Sequence, residues 1–446
     1  MPRVVICGAG IAGVSTAFHL ARTGVTDVLL VDPRSPLTLT SDKSTECYRN
    51  WWPNRPMVEL MNRSIALLEQ YSAESGNAFG MNRRGYLYLT GEEAVLSAMA
   101  AGAEVAAQAG AGELRVHREA PSATGPDTWD NTAVSEGADL FIGGRKLRQH
   151  FPYITGEVAG GLFARNAGWL SAQQLGMWML GEAERAGVVV VRAEVTAVGI
   201  DRDEIRSVQL DNGTSVATRI FVNAAGPMLP AVGALLGVDL PVFSELHAKA
   251  AFRDHLSALP RTAPMVIWND TQRIDWSDEE RAALAEAGRG DLLGSLPAGC
   301  HARPEGGEQS PWVLGLWEYG AKRIEPTWPL PLDSLYTEAV LRGLATMVPG
   351  LSAYRDRLPA ASVDGGYYTK TVENRPLAGP VGPRGSYVCG ALSGFGIMAA
   401  CGVGELVAYA IGGRANPEWA KWFDLRRYED ADYMKSVRAM GSSGQL

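Results

Sequence analysis

Apolar and polar positions near the start of the chain form two short apolar runs on either side of a helical stripe. Val4–Cys7 is a four-residue apolar run, typical of a buried parallel strand. Apolar residues then recur at helical spacing until Gly24, and a second apolar run, Val28–Val31, ends in Asp32. This order predicts a strand, a tight turn, a helix and a second strand.

Three glycines fill the predicted turn with the spacing G-x-G-x-x-G. Gly8 permits the tight turn, Gly10 lets a pyrophosphate approach the backbone, and Gly13 lets helix and strand pack closely. The helix N-terminus supplies N–H groups to the phosphates, and Asp32 is placed to accept hydrogen bonds from an adenosine ribose. An acid at this position repels a 2′-phosphate. The stretch therefore predicts a dinucleotide site and leaves FAD and NAD(H) both open.

The same patterning predicts further elements along the chain. We expect a loop over 112–139 and a hairpin at Asp211–Gly213. Helices are predicted at 57–71, 92–110, 173–186, 277–287 and 332–347, and strands at 85–89, 188–192, 221–224, 311–318 and 363–371.

A second glycine-rich turn follows near the end of the chain. The predicted strand Tyr387–Gly390 precedes Gly394, Gly396 and Ala399, which fit G-x-G-x-x-A, and a helix is predicted over Ile397–Ala410. That helix explains the apolar run better than a membrane span does, and its N-terminus is a second predicted anion site.

Composition narrows the classes of function. The chain has 446 residues, of which 46% are hydrophobic and 20% charged, as in soluble globular proteins. A net charge of −8 disfavours a nucleic-acid partner. Five scattered cysteines form neither a disulfide framework nor a zinc site, so no metal is expected. Because only three residues precede the first strand, we expect no signal peptide, no membrane partner and a cytoplasmic location.

Five sequence blocks together resemble a known family. They are GAGIAG with Asp32, LTSDKSTECYR, FVNAAGP, YYTKTVENRPLAGP and GALSGFGIMAACGVGELVA. Nearly the whole chain resembles the flavin-dependent amine and amino-acid oxidoreductases of the D-amino-acid-oxidase superfamily, on the sarcosine oxidase, dimethylglycine dehydrogenase and glycine oxidase branch. The resemblance implies an α/β fold in which a discontinuous Rossmann-like FAD-binding domain is interleaved with an α+β substrate domain on a mostly antiparallel sheet. The implied ranges are 1–84, 146–238 and 360–430 for the first domain, 85–145 and 239–359 for the second, and 431–446 for a C-terminal tail.

The resemblance implies FAD and a set of residues that bind it. The opening unit holds the ADP half, the early loop touches the pyrophosphate side and the flavin ring, and the last helix meets the flavin's N1–C2=O edge. The implied residues are Gly8, Gly10, Ile11, Ala12, Gly13, Asp32, Pro33, Arg34, Ser44, Thr45, Arg49, Val195, Ala225, Gly226, Gly394, Phe395, Gly396, Ile397 and Met398.

Three departures from the family pattern bear on how FAD is attached, which electron acceptor is used and whether the substrate carries a carboxylate. Gly366 stands where some relatives tether FAD through a cysteine, and no histidine occurs between residues 20 and 116, so we expect non-covalent FAD. The strand around Trp317 lacks the lysine that helps oxygen react in sarcosine oxidases, so the electron acceptor is O2 or an unidentified carrier. Met398 replaces a carboxylate-binding lysine, so the resemblance does not assure a substrate α-carboxylate.

Aromatic residues replace those cations on segments that face the flavin in relatives. Such rings hold a methylated amine by shape and cation–π contact, although tryptophan and tyrosine in strands are also ordinary core residues. The candidate substrate-binding residues are Trp51, Trp52, Tyr319, Tyr367 and Met398, and the candidate catalytic residues are Trp317, Tyr368 and His247.

Other charged residues have two interpretations each. His247 orients substrate or is merely hydrogen-bonded, and Glu318 binds an ammonium group or points to solvent. His301 and Arg303 are interpreted as structural, and Arg375 contacts a carboxylate or is solvated.

Together these observations predict that the protein is an enzyme that oxidises the C–N bond of a secondary or tertiary (N-methylated) amine or amino acid. Hydride passes to flavin N5 and gives an imine that water hydrolyses. The alternatives are a flavoprotein dehydrogenase of another small metabolite, such as a hydroxy acid, a non-catalytic FAD-bound subunit and, less favoured, an NAD enzyme.

Overall fold

The computed structural model describes residues 3–118 and 136–439. Its strands, numbered in chain order, are β1 (Val4–Cys7), β2 (Val28–Asp32), β3 (Cys47–Arg49), β4 (Tyr86–Thr90), β5 (Leu114–Arg118), β6 (Ala138–Ile142), β7 (Gly160–Ala164), β8 (Ala167–Trp169), β9 (Val189–Arg192), β10 (Val195–Asp201), β11 (Glu204–Leu210), β12 (Ser215–Ala217), β13 (Ile220–Asn223), β14 (Phe243–Arg253), β15 (Met265–Trp268), β16 (Cys300–Pro304), β17 (Trp312–Leu316), β18 (Ala361–Lys370), β19 (Leu377–Pro380) and β20 (Ser386–Gly390).

The α-helices of the same residues are α1 (Ile11–Arg22), α2 (Arg55–Ser75), α3 (Glu93–Ala106), α4 (Gly144–His150), α5 (Ala172–Arg185), α6 (Leu229–Ala234), α7 (Asp278–Glu286), α8 (Tyr336–Met347), α9 (Gly396–Gly412) and α10 (Ala431–Ala439). Their ends follow ordinary capping rules. The Asn54 side chain accepts from the N–H of Met57 at the start of α2, and Gly76 ends that helix with φ +63°.

A six-stranded sheet carries the first glycine turn. Its order is β19-β20-β13-β1-β2-β9, parallel except for β19. The carboxyl ends of the parallel strands meet at one edge, the usual ligand side of an open α/β sheet. The edge strand β9 differs from the buried strand predicted at 188–192, because Val189 is 52% exposed.

A nine-stranded sheet forms the second layer. Its order is β18-β14-β17-β16-β15-β4-β7-β6-β5, antiparallel except for the β15–β4 and β5–β6 pairs. The fold is thus the predicted mixture of α/β and mostly antiparallel parts. β7 and β18 pair in this sheet although the sequence places both in the FAD-binding ranges. The domain division itself stays a prediction.

The last helix packs against the first. α9 contacts α1 and α2 on the face of the parallel sheet. Ser15 Oγ donates to the carbonyl of Ala400 at 2.8 Å, and a Cβ on Gly404 would lie 2.4 Å from Ser15 Oγ. This close approach buries α9 from Ile397 to Ala408 and confirms that tertiary packing accounts for its apolar sequence.

The predicted loop over 112–139 is wrong at both ends. β5 and β6 occupy 114–118 and 138–142 and pair in parallel, whereas residues 119–135 lie outside the described residues. The strands carry buried charge: Asp139 is fully buried and pairs with Arg115 and Arg165 at 3.0 and 2.5 Å. Polar residues that point inward hide the alternation by which a strand is recognised.

One helical segment, Glu93–Ala111, is long and apolar enough to cross a membrane by length and composition alone. It joins α3 to a π-helical turn, Ala107–Ala111, with Gly110 in a left-handed conformation. Core helices of soluble proteins pass the same test, so the finding is weak evidence.

Candidate functional site

The first cavity lies at the carboxyl edge of the parallel sheet. It is lined by residues that follow β1, β2, β13 and β20, together with the early loop 35–44 and the start of α9. Of the residues implied to bind FAD, those at this cavity are Gly8, Gly10, Ile11, Ala12, Asp32, Ser44, Ala225, Gly226, Gly394, Gly396 and Ile397.

Two glycines fix the turn that forms the floor of this cavity. Gly8 has φ +109°, and a Cβ there would lie 2.4 Å from the carbonyl oxygen of Ala224. A Cβ on Gly13 would lie 1.9 Å from the carbonyl oxygen of Gly8. Both positions are therefore sterically closed to any larger residue.

Three other glycines leave open space on the cavity side. A Cβ on Gly10 or Gly396 would meet no protein atom closer than 3.4 Å, and a Cβ on Gly226 would meet none within 4 Å. All three line the first cavity. The space that their missing side chains leave is where a ligand can contact the backbone directly.

Asp32 is held in place by the glycine turn. Its Oδ2 accepts from the N–H of Ala9 at 2.8 Å, and its Oδ1 accepts from the N–H of Arg34 at the same distance. Each oxygen retains a second lone pair, and Asp32 lines the first cavity, as a ribose-binding carboxylate requires.

The second glycine turn supplies the opposite wall. Ala391 and Ser393, between β20 and α9, adopt φ of +53° and +49°. Such backbone is uncommon for residues other than glycine and clusters at functional sites. The N-terminus of α9 has no side-chain cap, so its N–H groups and helix dipole face the cavity.

These features fit FAD. The open glycines face the phosphate-binding turn, Asp32 lies at the ribose position, and the N-terminus of α9 is a suitable partner for the anionic edge of a reduced flavin. The residues that would hold FAD thus come from both ends of the chain.

The early loop is fastened to the antiparallel sheet by two lysines. Lys249 of β14 donates to the carbonyls of Asp42 and Ser44, the latter at 3.1 Å. Lys43 pairs with Asp364 of β18 at 2.7 Å. These contacts bring the loop across both cavities.

A second cavity of about 360 Å³ adjoins the first, and Gly394 lines both. Its floor is one face of the nine-stranded sheet, because Tyr86, Met265, Ile267 and His301 occupy positions on β4, β15 and β16 whose partners in the ladder point to the same side. Its remaining walls come from the early loop, the segment 297–299 and residues 394–398.

Arg49 brings a buried cation to this second cavity. Its guanidinium lies 4.5 Å from the centre of the Trp52 ring and 5.6 Å from that of Tyr86, and Trp52 packs edge-on against Phe395 at 5.2 Å. The wall of the second cavity therefore joins positive charge to aromatic surface, a combination suited to an anionic group on a small organic substrate.

Glu318 brings the opposite charge. Its carboxylate lines the second cavity, and its Oε1 lies 3.0 Å from His247 Nδ1, at ion-pair distance although without hydrogen-bond alignment. Burial alone would raise the pKa of Glu318, but the neighbouring His247 outweighs it and lowers the pKa. Glu318 is therefore ionised near neutral pH.

His247 is the centre of a buried charge network. Its Nε2 lies 3.2 Å from Glu245 Oε2, which also accepts from Lys370 Nζ at 3.0 Å. Burial alone would lower the pKa of His247, but the two carboxylates outweigh it and raise the pKa. The hydrogen bond with His247 lowers the pKa of Glu245 to about 2. The His247 ring stacks on Tyr368 at 4.1 Å.

His301 is a neutral imidazole in the second cavity. Its Nδ1 lies 2.7 Å from the carbonyl oxygen of Gly299, so this nitrogen carries the proton. Burial lowers the pKa of His301. Nε2, which has no hydrogen-bond partner among residues 3–118 and 136–439, is therefore the acceptor nitrogen.

The candidate residues from the sequence fall in three places. Trp52 and Met398 line the second cavity, and Tyr367 and Tyr368 line the first. A third cavity of about 330 Å³, on the far side of Glu318, is lined by His247, Trp317 and Tyr319. Trp51 is buried and lines none of the three.

The polar groups of two of these aromatic residues are engaged by backbone carbonyls. The Tyr367 hydroxyl donates to the carbonyl of Thr327 at 2.9 Å, and Trp317 Nε1 donates to that of Pro297 at 2.8 Å. Their proposed substrate contacts stay predictions, as do all the implied roles of individual residues.

The remaining residues implied to bind FAD lie just outside the first cavity. Thr45, Arg49, Phe395 and Met398 line the second cavity, Gly13 supports the turn from below, and Pro33, Arg34 and Val195 lie beyond the lining. The guanidinium of Arg34 lies 5.3 Å from the centre of the Trp328 ring.

The sequence interpretation missed several residues that line the two cavities. Ser41 lines the first cavity and accepts from the N–H of Ile11 at 3.0 Å. Tyr86, Met265 and His301 line the second, and His301 was interpreted as structural. Period-two alternation in β4, β15 and β16 was the available signal, but strand pairing is needed to place the three on one face.

Comparison with known proteins agrees with this geometry. Residues 3–410 match the model of the family described as FAD dependent oxidoreductase. The chain belongs to this family. It is therefore an FAD-dependent enzyme of the amine and amino-acid oxidoreductase superfamily, as the sequence resemblance predicted, and FAD is its cofactor.

Relatives with described activities are distant. Mitochondrial dimethylglycine dehydrogenase of Homo sapiens is 24% identical over 411 residues, which are 91% of this chain and 42% of that protein. The chain thus spans about two fifths of the length of that relative. Among solved structures, L-proline dehydrogenase from P. horikoshii has a TM-score of 0.74 at 21% identity, covering 96% of this chain and 97% of that one. Glycine oxidase from Geobacillus kaustophilus has a TM-score of 0.73 at 17% identity, covering 95% and 98%. At these identities the two structures establish the fold alone.

Proposed function

We propose that the enzyme oxidises the C–N bond of a secondary or tertiary, N-methylated amine or amino acid bound in the second cavity. Bound FAD supplies a two-electron acceptor for hydride. One observation carries the proposal: the first cavity meets, at Gly394, a cavity that combines aromatic rings with Arg49 and Glu318.

The residues of the second cavity divide the work of binding. Arg49 attracts a carboxylate, Glu318 faces the substrate nitrogen, and the rings of Trp52 and Phe395 exclude water from the reacting carbon. His301 Nε2 accepts a hydrogen bond from the substrate. Opposite charges in one small cavity favour amino acids over simple amines.

Similarity to dimethylglycine dehydrogenase supports the N-methyl class of substrate. We also propose that FAD is held without a covalent bond. Cys389 is a cysteine at the first cavity, but burial raises the pKa of its thiol to about 11 and keeps it protonated. A Cβ on Gly366 would lie 3.0 Å from Lys43 Cβ, which leaves little room for a tether there.

Anaerobic bleaching of the flavin tests this function. Purified protein would be mixed with dimethylglycine, sarcosine, glycine, proline, dimethylamine and lactate while the absorbance near 450 nm, roughly the oxidised flavin band, is followed. We expect the N-methyl amino acids to reduce the flavin fastest. Bleaching by lactate alone would favour a hydroxy-acid dehydrogenase, and a yellow protein that nothing bleaches would favour a non-catalytic subunit. Reoxidation by air, compared with an artificial dye, separates O2 from a carrier as the acceptor.

A further inference from the structure

We propose that the Glu318–His247 pair makes a bound amine give up its proton, so that the second cavity holds the nitrogen in its neutral, oxidisable form. This inference rests on the proposed function and assigns a role to two residues of that site. Glu318 acts on the substrate nitrogen directly, and His247 acts through Glu318 as a positioning residue.

The first step of the argument is the charge balance of the buried network. Glu318 and Glu245 carry two negative charges. Lys370 and His247, whose pKa the two carboxylates raise, carry two positive charges. The His247 side chain is 1% exposed and the Glu318 side chain is 26% exposed, so water screens their interaction only in part. Glu318 therefore lines the second cavity as a carboxylate whose negative charge is already balanced by protonated His247.

The second step is the arrival of a cationic amine. Aliphatic amines in water are protonated at neutral pH, as lysine is. Beside Glu318, such a cation would share one carboxylate with protonated His247, and two cations on one carboxylate disfavour each other. One of the two must lose its proton. When the amine does, its N–H bond breaks, the electron pair stays on nitrogen, and the proton passes to water.

The third step is the surroundings, which supply no further anion on the cavity side within the described residues. His301 of β16 is neutral, and Arg49 lies across the second cavity as another cation. On the third-cavity side, Asp291 and Asp333 are paired with Arg289. Lys322 also lines that third cavity, and the Tyr368 ring covers one face of His247.

Two substitutions separate this role from a merely structural one because only one of them should raise the pKa that governs flavin reduction. In His247→Gln, Glu318 is left unbalanced and stabilises the ammonium form. The pKa that governs flavin reduction in the substrate complex should then rise by about one to three units. In Glu318→Gln the anion is lost, so that pKa should not rise. A structural defect would move both variants in the same direction.

Trimethylglycine provides a readout that needs no turnover. It carries a fixed positive charge and no N–H, so it binds the wild-type holoenzyme only when His247 releases a proton. Titration followed by flavin absorbance should show weak affinity that rises with pH. His247→Gln should bind it at least about tenfold more tightly at pH 7, with little pH dependence, which is about 1.4 kcal/mol. Calorimetry in phosphate and in Tris should detect about one released proton for the wild type and none for the variant.

His255→Gln is the matched control, since His255 is exposed and remote from the network. Each variant must retain bound FAD. If His247→Gln fails to fold, the inference is tested by comparing wild type with Glu318→Gln. Proton release on trimethylglycine binding must then disappear in Glu318→Gln.

The outcomes distinguish this inference from the proposed function. Equal trimethylglycine affinity in wild type and His247→Gln, or proton release that persists in Glu318→Gln, overturns the inference even if amines bleach the flavin. The predicted affinity change with no bleaching by any amine supports the charge pair and rejects amine oxidation.

Discussion

The first and second cavities meet at Gly394 but are built differently. The first is walled largely by backbone and small residues at the carboxyl ends of parallel strands, where Gly10, Gly226 and Gly396 leave room. The second is walled by side chains from one face of the antiparallel sheet, Arg49 and Glu318 among them. A cofactor shared by a whole family is bound by geometry that the backbone provides. A particular substrate is selected by side chains, which vary without altering that backbone.

The largest effect on FAD binding is expected at a glycine where the neighbouring backbone leaves no room for a side chain. Gly13→Ala places a methyl group 1.9 Å from the carbonyl oxygen of Gly8 and forces the turn apart. We expect the FAD dissociation constant to rise at least about 1,000-fold, or about 4 kcal/mol, measured by flavin fluorescence. Gly102→Ala is the control, since its new methyl group meets no atom within 4 Å. If Gly13→Ala retained FAD, cofactor binding in the first cavity would depend less on the backbone geometry of this turn than we infer.

His19 makes the framework of the first cavity sensitive to acid. Its Nδ1 donates to the carbonyl of Ser15 at 2.7 Å, its Nε2 accepts from Tyr71, and burial lowers its pKa to about 4. The unfolded chain therefore binds this proton first as pH falls. From His19 alone, the free energy of unfolding should decrease by about 3 kcal/mol between pH 6.5 and 4. Urea unfolding of wild type and His19→Gln at a series of pH values measures the difference in slope, and equal slopes would contradict the assignment.

Arg49 tests the side-chain character of the second cavity. Arg49→Gln removes the cation while leaving the first cavity intact, so FAD should stay bound. We expect kcat/KM for an amino-acid substrate to fall about 30-fold, or about 2 kcal/mol, and that for dimethylamine to change less than about threefold. Steady-state kinetics on both substrates provide the measurement, with exposed Arg55→Gln as the control. An equal loss on both substrates would mean that Arg49 does not contact a carboxylate.

Glu46, in the loop above the second cavity, should show the reverse pH response to His19. Burial raises its pKa to about 7, against the attraction of Lys249 and Arg303. Its proton stabilises the fold below pH 4.5, and that stability is lost as pH rises through 7. The free energy of unfolding of Glu46→Gln should therefore exceed that of wild type by up to about 3 kcal/mol at pH 8, with no difference at pH 4. Chemical denaturation at both values tests this, and a gain at pH 4 would argue for a different cause.

The difference between the cavities also explains what the sequence could predict. Gly8, Gly13 and Asp32 lie within one short stretch, so spacing alone indicates the turn, and the observed bounds of β1 match the expected strand. The start of α9 was equally visible, because Gly394 and Gly396 follow a strand directly. FAD and the family could therefore be predicted from the sequence alone.

The second cavity was harder to predict from the sequence because the residues that line it are far apart along the chain. Glu318 and His247 lie 71 positions apart and approach only through strand pairing in the nine-stranded sheet. Trp317, one position before Glu318, lines the third cavity but not the second, whereas Glu318 lines both. A single step along the chain therefore decides which residue lines the second cavity, and no local pattern fixes that step.

The assembly of the first cavity from both ends of the chain has a consequence during synthesis. A ribosome makes β1 and α1 long before the second turn and α9, which complete the wall. Loading of the coenzyme should accordingly wait until α9 has emerged. Nascent chains stalled before residue 390 should remain colourless, and released full-length chains should acquire flavin.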